Sequence, residues 1–138
     1  MELTVRVTGD VLQSGASYEP GTKSTGVSID SRTIQTTMIF FTVEGEHYDG
    51  HDFVRRALKK GALAAVINSR RRVEFKDLPQ QCIIPVSDTV WALQRLAAYI
   101  RSTFDIPVVA ITGSNGKTTT KEMTTAVLEE SFTVASTP

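Results

Sequence analysis

The sequence has a single cysteine, Cys82, which excludes an internal disulfide and a cysteine metal cluster. It also has no excess of charge, since 15 Lys and Arg residues balance 15 Asp and Glu residues. Composition therefore gives no sign of electrostatic binding to nucleic acid or to a membrane. No apolar run approaches the roughly 20 residues of a membrane-spanning helix. The N-terminus lacks the basic start and apolar core of a signal peptide, so we expect a cytoplasmic protein.

Apolar runs that fit buried parallel strands alternate along the chain with segments of helical periodicity, and this pattern predicts an α/β fold. The predicted strands are 27–29, 38–43, 62–67, 81–86, 108–111 and 132–135, and the predicted helices are 52–60, 88–104 and the run after Lys117. Pro85 indicates that its strand lies at a sheet edge or ends there. Trp91 lies near the apolar face of its helix and is predicted to be a core residue.

A glycine-rich turn follows the apolar strand 108–111 and leads into a helix. It reads Gly113-Ser114-Asn115-Gly116-Lys117-Thr118-Thr119. Glycines allow backbone N–H groups to approach phosphate oxygens, and a helix N-terminus adds partial positive charge. Lys117 can reach the β- and γ-phosphates of a nucleotide, and the Thr118 hydroxyl can ligate Mg²⁺.

This motif is the short form of the phosphate loop, because Ile111 stands where the general pattern has another glycine. A glycine turn between a strand and a helix needs no ligand. A bare turn, however, does not call for Lys-Thr-Thr at the helix entry. The sequence therefore predicts that all seven residues, Gly113 to Thr119, bind a nucleotide.

Asp30-Ser31-Arg32 follows the first predicted strand and supplies an acid, a hydroxyl and a guanidinium. Ligands of open α/β sheets bind beyond the carboxyl ends of strands. Asp and Ser are also common in plain turns, and these three residues alone do not decide between a site and a turn.

The second strand runs into 44–52, a segment rich in acidic residues, glycine and histidine. His47 and His51 could suggest a metal site, but Gly45 and Gly50 break any helix that would place both on one face. A polar ligand-binding loop is the favoured interpretation, and Asp49 or His51-Asp52 can cap the following helix. The arginine-rich connection 68–76 is predicted to be a solvated loop rather than a phosphate site.

We predict a small N-terminal α/β domain, 1–86, followed by the start of a phosphate-loop ATPase domain with a parallel sheet, 87–138. A phosphate-loop strand needs parallel neighbours. Only one strand, the start of another and two helices of that second sheet are present, and the acid that usually holds Mg²⁺ from another strand is absent. We therefore expect the sequence to be a piece of a longer protein.

Three segments, in the right order, resemble the Mur ligases of peptidoglycan (cell wall) synthesis, over about 26–123. They are Gly113 to Thr119, Asp30-Ser31-Arg32 and 40–54. Asp49-Gly50-His51-Asp52-Phe53 and Lys121-Glu122-Met123 favour the branch that joins D-alanyl-D-alanine to a UDP-N-acetylmuramoyl-tripeptide. The alternative is the branch that adds diaminopimelate or lysine to the dipeptide precursor.

The resemblance implies an ATP-dependent amide ligase that acts through an acyl phosphate. Lys117 would be catalytic, 113–119 would bind ATP, and Thr118 would hold Mg²⁺. The UDP end of the substrate would be bound by Ile29, Ser31, Glu46, His47 and Tyr48. The implied partners are small-molecule substrates, with no nucleic acid or membrane, and the implied state is a monomer. Further Mg²⁺ ligands and the amine-substrate domain would lie later in the family's chain, so we expect these 138 residues alone to be inactive.

Two other classes of function fit the phosphate loop. One is a nucleotide-binding module that uses the loop as a switch, and the other is a small-molecule kinase. Kinases with this loop usually place it near the N-terminus, whereas more than a hundred residues precede it here. The order of the segments therefore favours the ligase.

Overall fold

The computed structural model describes residues 3–4 and 23–137. The chain divides into two compact units, Met1–Phe104 and Asp105–Pro138. This division lies after Phe104, whereas the sequence pattern predicted a boundary after Val86. The difference arises because the long helix after Val86 packs through Ala92 and Leu96 onto the first unit's sheet.

A four-stranded parallel sheet forms the centre of the first unit. An antiparallel pair of short strands, β1 (Leu3–Thr4) and β2 (Lys23–Ser24), precedes it. The sheet has the order β3-β4-β5-β6, with strands β3 (Gly26–Ser28), β4 (Met38–Phe41), β5 (Ala64–Asn68) and β6 (Ile83–Val86). The predicted α/β class is confirmed, and Pro85 lies on edge strand β6, where a missing N–H is tolerated.

Within the described residues, three α-helices accompany the strands: α1 (Val54–Lys59), α2 (Thr89–Ser102) and α3 (Lys117–Glu129). Short 3₁₀ helices cover Gly50–Phe53, Ser69–Phe75 and Gln80–Cys82. The predicted arginine-rich loop is thus largely a 3₁₀ helix, which begins because the Asn68 side chain accepts a hydrogen bond from the Arg70 N–H. Asp88 caps α2 in the same way through the Trp91 N–H.

Both faces of the two central strands are buried, which explains why they read as continuous apolar runs. One face carries Ile39, Phe41, Ala64 and Val66 and packs against helix α2. On the other face, Phe40, Ala65 and Ile67 pack with α1 and with Phe75 of the second 3₁₀ helix. The sheet is therefore a rigid support for whatever lies at its edges.

The prediction that Trp91 is a core residue is wrong. Its side chain is 46% exposed and lies under the Arg95 guanidinium, 4.8 Å from the ring centre. The buried stripe of α2 is centred on Ala92 and Leu96, and each helical residue is rotated about 100° from the next. Trp91 consequently lies outside the stripe.

The second unit contains α3 and a stretch before it that was expected to be a strand. Neither 108–111 nor 132–135 forms a paired strand with any described residue. A strand requires a hydrogen-bonded neighbour, and the described part of this unit supplies none. Val108 and Val109 are accordingly exposed. Among the described residues, no helix is long and apolar enough to cross a membrane.

Candidate functional site

The glycine turn of the second unit has the backbone shape of an anion cradle. Gly116 occupies the N-cap of α3 with φ 75° and ψ 2°, in the left-handed region, and Gly113 has φ 154°. No side chain caps the helix, and Thr120 N–H is the donor that returns to the Gly116 carbonyl. The backbone N–H groups before Thr120 in the first turn have no acceptor within the helix, because a helical N–H bonds to the carbonyl four residues earlier. These N–H groups can therefore point at an anion.

Lys117 and Thr118 open this helix beside a cleft of about 230 Å³. The Lys117 ammonium folds back across the turn and donates a 2.6 Å hydrogen bond to the Gly113 carbonyl. Ser114, Asn115 and Thr119 are exposed around the same turn. The seven predicted nucleotide-binding residues thus form one continuous loop and first helical turn.

At the end of β3, the side chains of Asp30 and Arg32 form an ion pair with each other. Arg32 donates from its backbone N–H to Asp30 Oδ1 and from Nη2 to Oδ2, both at 2.8 Å. The hydrogen bond from the Arg32 side chain is the main reason that the pKa of Asp30 falls from 3.8 to about 2. Asp30 and Arg32 therefore have a structural role within the turn, which is one of the two interpretations that the sequence left open.

Ser31, between them, is the exception. Only 5% of Ser31 is exposed, and its hydroxyl has no hydrogen bond to any described residue. Buried hydroxyl groups are normally paired, so one that is not calls for an explanation such as a ligand. Ile29, two residues earlier, is 58% exposed at the same strand end.

The loop after β4 displays the other predicted contact residues. Glu44 and Asp49 form a β-bridge, and Gly45 N–H donates to the Tyr48 carbonyl at 2.9 Å, so the loop closes on itself. Its tip, Glu46-His47-Tyr48, is exposed, and Tyr48 has 77% of its surface in solvent. Because β3 and β4 are parallel neighbours, the end of β3 and this loop lie at the same sheet edge.

The stem of this loop is held by a buried histidine. His51 is 2% exposed, and its Nδ1 lies 2.6 Å from Asp49 Oδ1. Asp49 also accepts from the His51 N–H and from Arg71. Burial alone would raise the pKa of Asp49, but the hydrogen bonds from His51 and the charge of Arg71 outweigh this effect and hold that pKa below its ordinary value.

This network also shows how the residues of 44–52 are arranged. Asp49 caps the 3₁₀ helix that starts at Gly50, whereas α1, the helix it was expected to cap, begins after Phe53 and has no side-chain cap. His51 is buried with both ring nitrogens in contact with protein groups, whereas His47 is exposed. The residues described by the structure contain no group of three acidic, histidine or cysteine side chains that could hold a metal.

The sequence pattern missed three members of this network: Thr42, Asn68 and Arg71. Asn68 ends β5, and Arg71 reaches Asp49 across 22 residues. A polar residue near the end of a buried apolar run was the one available signal, and it applied to Thr42 and Asn68. Nothing in the local sequence of the arginine run distinguished Arg71 from Arg70 and Arg72.

Comparison with known protein families matches two models. The "Mur ligase family, catalytic domain" model matches residues 23–101, and the "Mur ligase middle domain" model matches residues 111–138. These two segments fall on either side of the division after Phe104.

Individual proteins agree with the family models. The UDP-N-acetylmuramoyl-tripeptide–D-alanyl-D-alanine ligase of Treponema pallidum is 42% identical over 119 residues, which are 82% of this chain and 26% of that protein. A solved structure of the corresponding ligase from Acinetobacter baumannii matches with a TM-score of 0.78 and 30% identity, over 95% of this chain and 29% of that chain.

A second solved structure carries a nucleotide. The MurF ligase of Thermotoga maritima in complex with ADP matches with a TM-score of 0.71 and 34% identity, over 81% of this chain and 25% of that chain. This chain thus spans about a quarter of the length of the relatives that it matches.

Proposed function

This chain belongs to the Mur ligase family, and from that premise we propose that it serves an ATP-dependent ligase that joins D-alanyl-D-alanine to a UDP-N-acetylmuramoyl-tripeptide. The observation that carries the proposal is the uncapped start of α3, where Gly116 in the left-handed region precedes Lys117 and Thr118. The identity to ligases named for this reaction, one of them solved with ADP, supports the same conclusion.

The second unit would hold ATP. The free N–H groups at the start of α3 would bind phosphate oxygens, and Lys117 would leave the Gly113 carbonyl to neutralise charge on the transferred phosphate. The exposed Thr118 hydroxyl is a hard oxygen donor that suits Mg²⁺, which would screen phosphate charge when bound.

The chemistry would proceed in two steps. A carboxylate oxygen at the end of the tripeptide attacks the γ-phosphorus, the bond from that phosphorus to ADP breaks, and an acyl phosphate and ADP result. The amine of D-alanyl-D-alanine then attacks the acyl carbon, an amide forms, and phosphate and a proton leave. The role of Lys117 would be electrostatic, since it offsets charge that builds on the phosphoryl oxygens.

The first unit would bind the UDP end of the substrate at the shared edge of β3 and β4. Tyr48 and Ile29 present exposed apolar surface on which a uracil ring could stack. The Ser31 hydroxyl, which no described residue pairs, and the exposed Glu46 and His47 side chains would supply polar groups for the base, ribose and phosphates. The buried Ser31 hydroxyl is the strongest support for this assignment.

The experiment that tests the proposal is ADP release by the full-length protein, supplied with ATP, Mg²⁺ and UDP-N-acetylmuramoyl-tripeptide. We expect release to depend on D-alanyl-D-alanine and to yield the amide product by mass spectrometry. Release that instead required a diamino acid and the dipeptide precursor would assign the neighbouring branch of the family. Release without any amine would contradict amide ligation.

A further inference from the structure

A hydrogen-bonded network joins the loop 44–49 to three strand ends of the sheet. At its centre His51 contacts Asp49 on one side and the end of β5 on the other, where the Asn68 N–H lies 3.0 Å from Nε2. The Thr42 hydroxyl, directly after β4, lies 3.1 Å from the same nitrogen. Asn68 in turn donates to the Ser87 carbonyl, directly after β6.

The donors in this network fix which ring nitrogen of His51 carries the proton. A backbone N–H can only donate, so Nε2 must accept from Asn68 and is unprotonated. The proton therefore lies on Nδ1, from which it is donated to Asp49 Oδ1. The Nε2 edge of the ring is anchored to the end of β5, and the Nδ1 edge holds a carboxylate.

Asp49 forms the return side of the loop. Its backbone pairs with Glu44, and its second carboxylate oxygen accepts from Arg71, whose other nitrogens are bound by Glu74 at 2.7 Å. Every contact that fixes Asp49 therefore comes from groups anchored outside the loop tip. Tyr48, the residue before Asp49, is 77% exposed.

We propose that His51 and Asp49 are positioning residues, which hold the return side of the loop so that Glu46, His47 and Tyr48 face the UDP end of the substrate. This inference rests on the proposed function, because it requires that loop to be the nucleotide-sugar site. Neither residue touches the substrate. Without these contacts, the exposed tip of the loop would have to become ordered when the substrate binds. The entropy cost of that ordering would weaken the affinity for the substrate.

Two amide variants of His51 separate the roles of its two ring nitrogens. His51→Gln keeps an acceptor where Nε2 lies and loses the donor to Asp49. His51→Asn keeps an N–H near Nδ1 and loses the acceptor for Asn68. In the full-length protein, His51→Gln is expected to raise KM for the UDP-substrate by about tenfold, through loss of a hydrogen bond to a charged group, with kcat and KM for ATP unchanged.

His51→Asn should instead lower the melting temperature, because a buried N–H loses its partner, while KM for the UDP-substrate stays near the parent value. Asp49→Asn, at a partly exposed position, removes the charge that pairs with Arg71 and should raise KM as His51→Gln does. Asp77→Asn is the matched control, since it removes an exposed pair with Arg55 that does not contact the loop.

The outcomes separate this inference from a purely structural role. A merely destabilised enzyme would lose active protein, so kcat would fall and KM would stay constant, and that result would overturn the proposal. An equal rise in KM for His51→Gln and His51→Asn would also overturn it, because the ring would then act by packing.

Tyr48→Ala shows which proposal has failed. If Tyr48→Ala raises KM for the UDP-substrate while His51→Gln and Asp49→Asn do not, the site stands and the positioning role is wrong. If Tyr48→Ala leaves that KM unchanged, the loop is not the substrate site. The assignment of the UDP site to this loop and the positioning role of His51 and Asp49 are then both overturned.

Discussion

The backbone nitrogen of Gly50 donates a 3.0 Å hydrogen bond to the carbonyl of Val43, so the two ends of the candidate substrate loop are in direct backbone contact. A Cβ at Gly50 would lie 2.6 Å from the Val43 nitrogen and 2.9 Å from its carbonyl oxygen. No side chain fits in that space, and the loop can close in this way only because residue 50 is glycine.

Gly50→Ala should therefore destabilise the protein by about 1–3 kcal/mol, since the backbone of β4 or of the loop must move. Chemical denaturation of the variant and the parent measures the loss. Gly45→Ala is the matched control, because a Cβ there would meet the Tyr48 carbonyl at an ordinary 3.6 Å. Equal losses for the two variants would contradict the packing explanation.

Lys117→Ala should reduce kcat/KM for ATP in the full-length protein by about 10²–10³-fold, as expected when a group that stabilises transition-state charge is removed. Binding of UDP-N-acetylmuramoyl-tripeptide, measured by calorimetry, should be unchanged, because Lys117 lies in the other unit. Lys76→Ala serves as the control for loss of an exposed lysine charge. Loss of UDP-substrate binding in Lys117→Ala would argue against separate sites in the two units.

Ser31→Ala should raise KM for the UDP-substrate by about three- to tenfold, the usual effect of one lost hydrogen bond. Stability should stay constant or rise, because the buried hydroxyl has no hydrogen bond within the described structure. Ser28→Ala offers the contrast: Ser28 Oγ bonds to the Asp30 N–H and carbonyl, so its loss should lower the melting temperature. An unchanged KM in Ser31→Ala would make Ser31 a turn residue only.

The Asp30–Arg32 pair should contribute to stability in a pH-dependent way. The folded state has a pKa of about 2 for Asp30 against 3.8 ordinarily, so the unfolded chain takes up the proton first as the pH falls. The contribution is therefore fully present above 3.8 and is lost as the pH approaches 2.

The melting temperature should accordingly fall less steeply for Asp30→Asn than for the parent as the pH is lowered from about 5 to about 2, the range in which Asp30 takes up its proton. Arg32→Gln should flatten the curve similarly, and the double variant should add nothing further. A parent-like slope in Asp30→Asn would show that the ion pair does not contribute to acid stability.

The local features of this protein were readable from its sequence. The apolar runs 38–43 and 62–67 predicted the two central strands because burial on both faces favours apolar residues at successive positions. Asp88 and the apolar repeat after it predicted α2. The glycines at 113 and 116, before Lys117, predicted the turn at the start of α3, since a turn of this kind depends on the conformations of neighbouring residues.

Other features required the folded chain. No local pattern predicted that Arg71 would bind Asp49 or that Trp91 would be exposed. None distinguished His51, which is buried, from His47, which is exposed. The segments 108–111 and 132–135 have strand-like composition, yet they form no ladder with the described residues, because pairing depends on a partner and not on composition.

The sequence by itself determined the central strands, the three α-helices, their order and the chemistry of the glycine turn, because these depend on residues within a few positions of one another. Only the tertiary structure decided that β3 and β4 are neighbours, so that Ser31 and the loop 44–49 lie at one sheet edge. It also decided that His51 supports this loop from the interior. Those relationships join residues distant in the sequence, and they exist only once the sheet has formed.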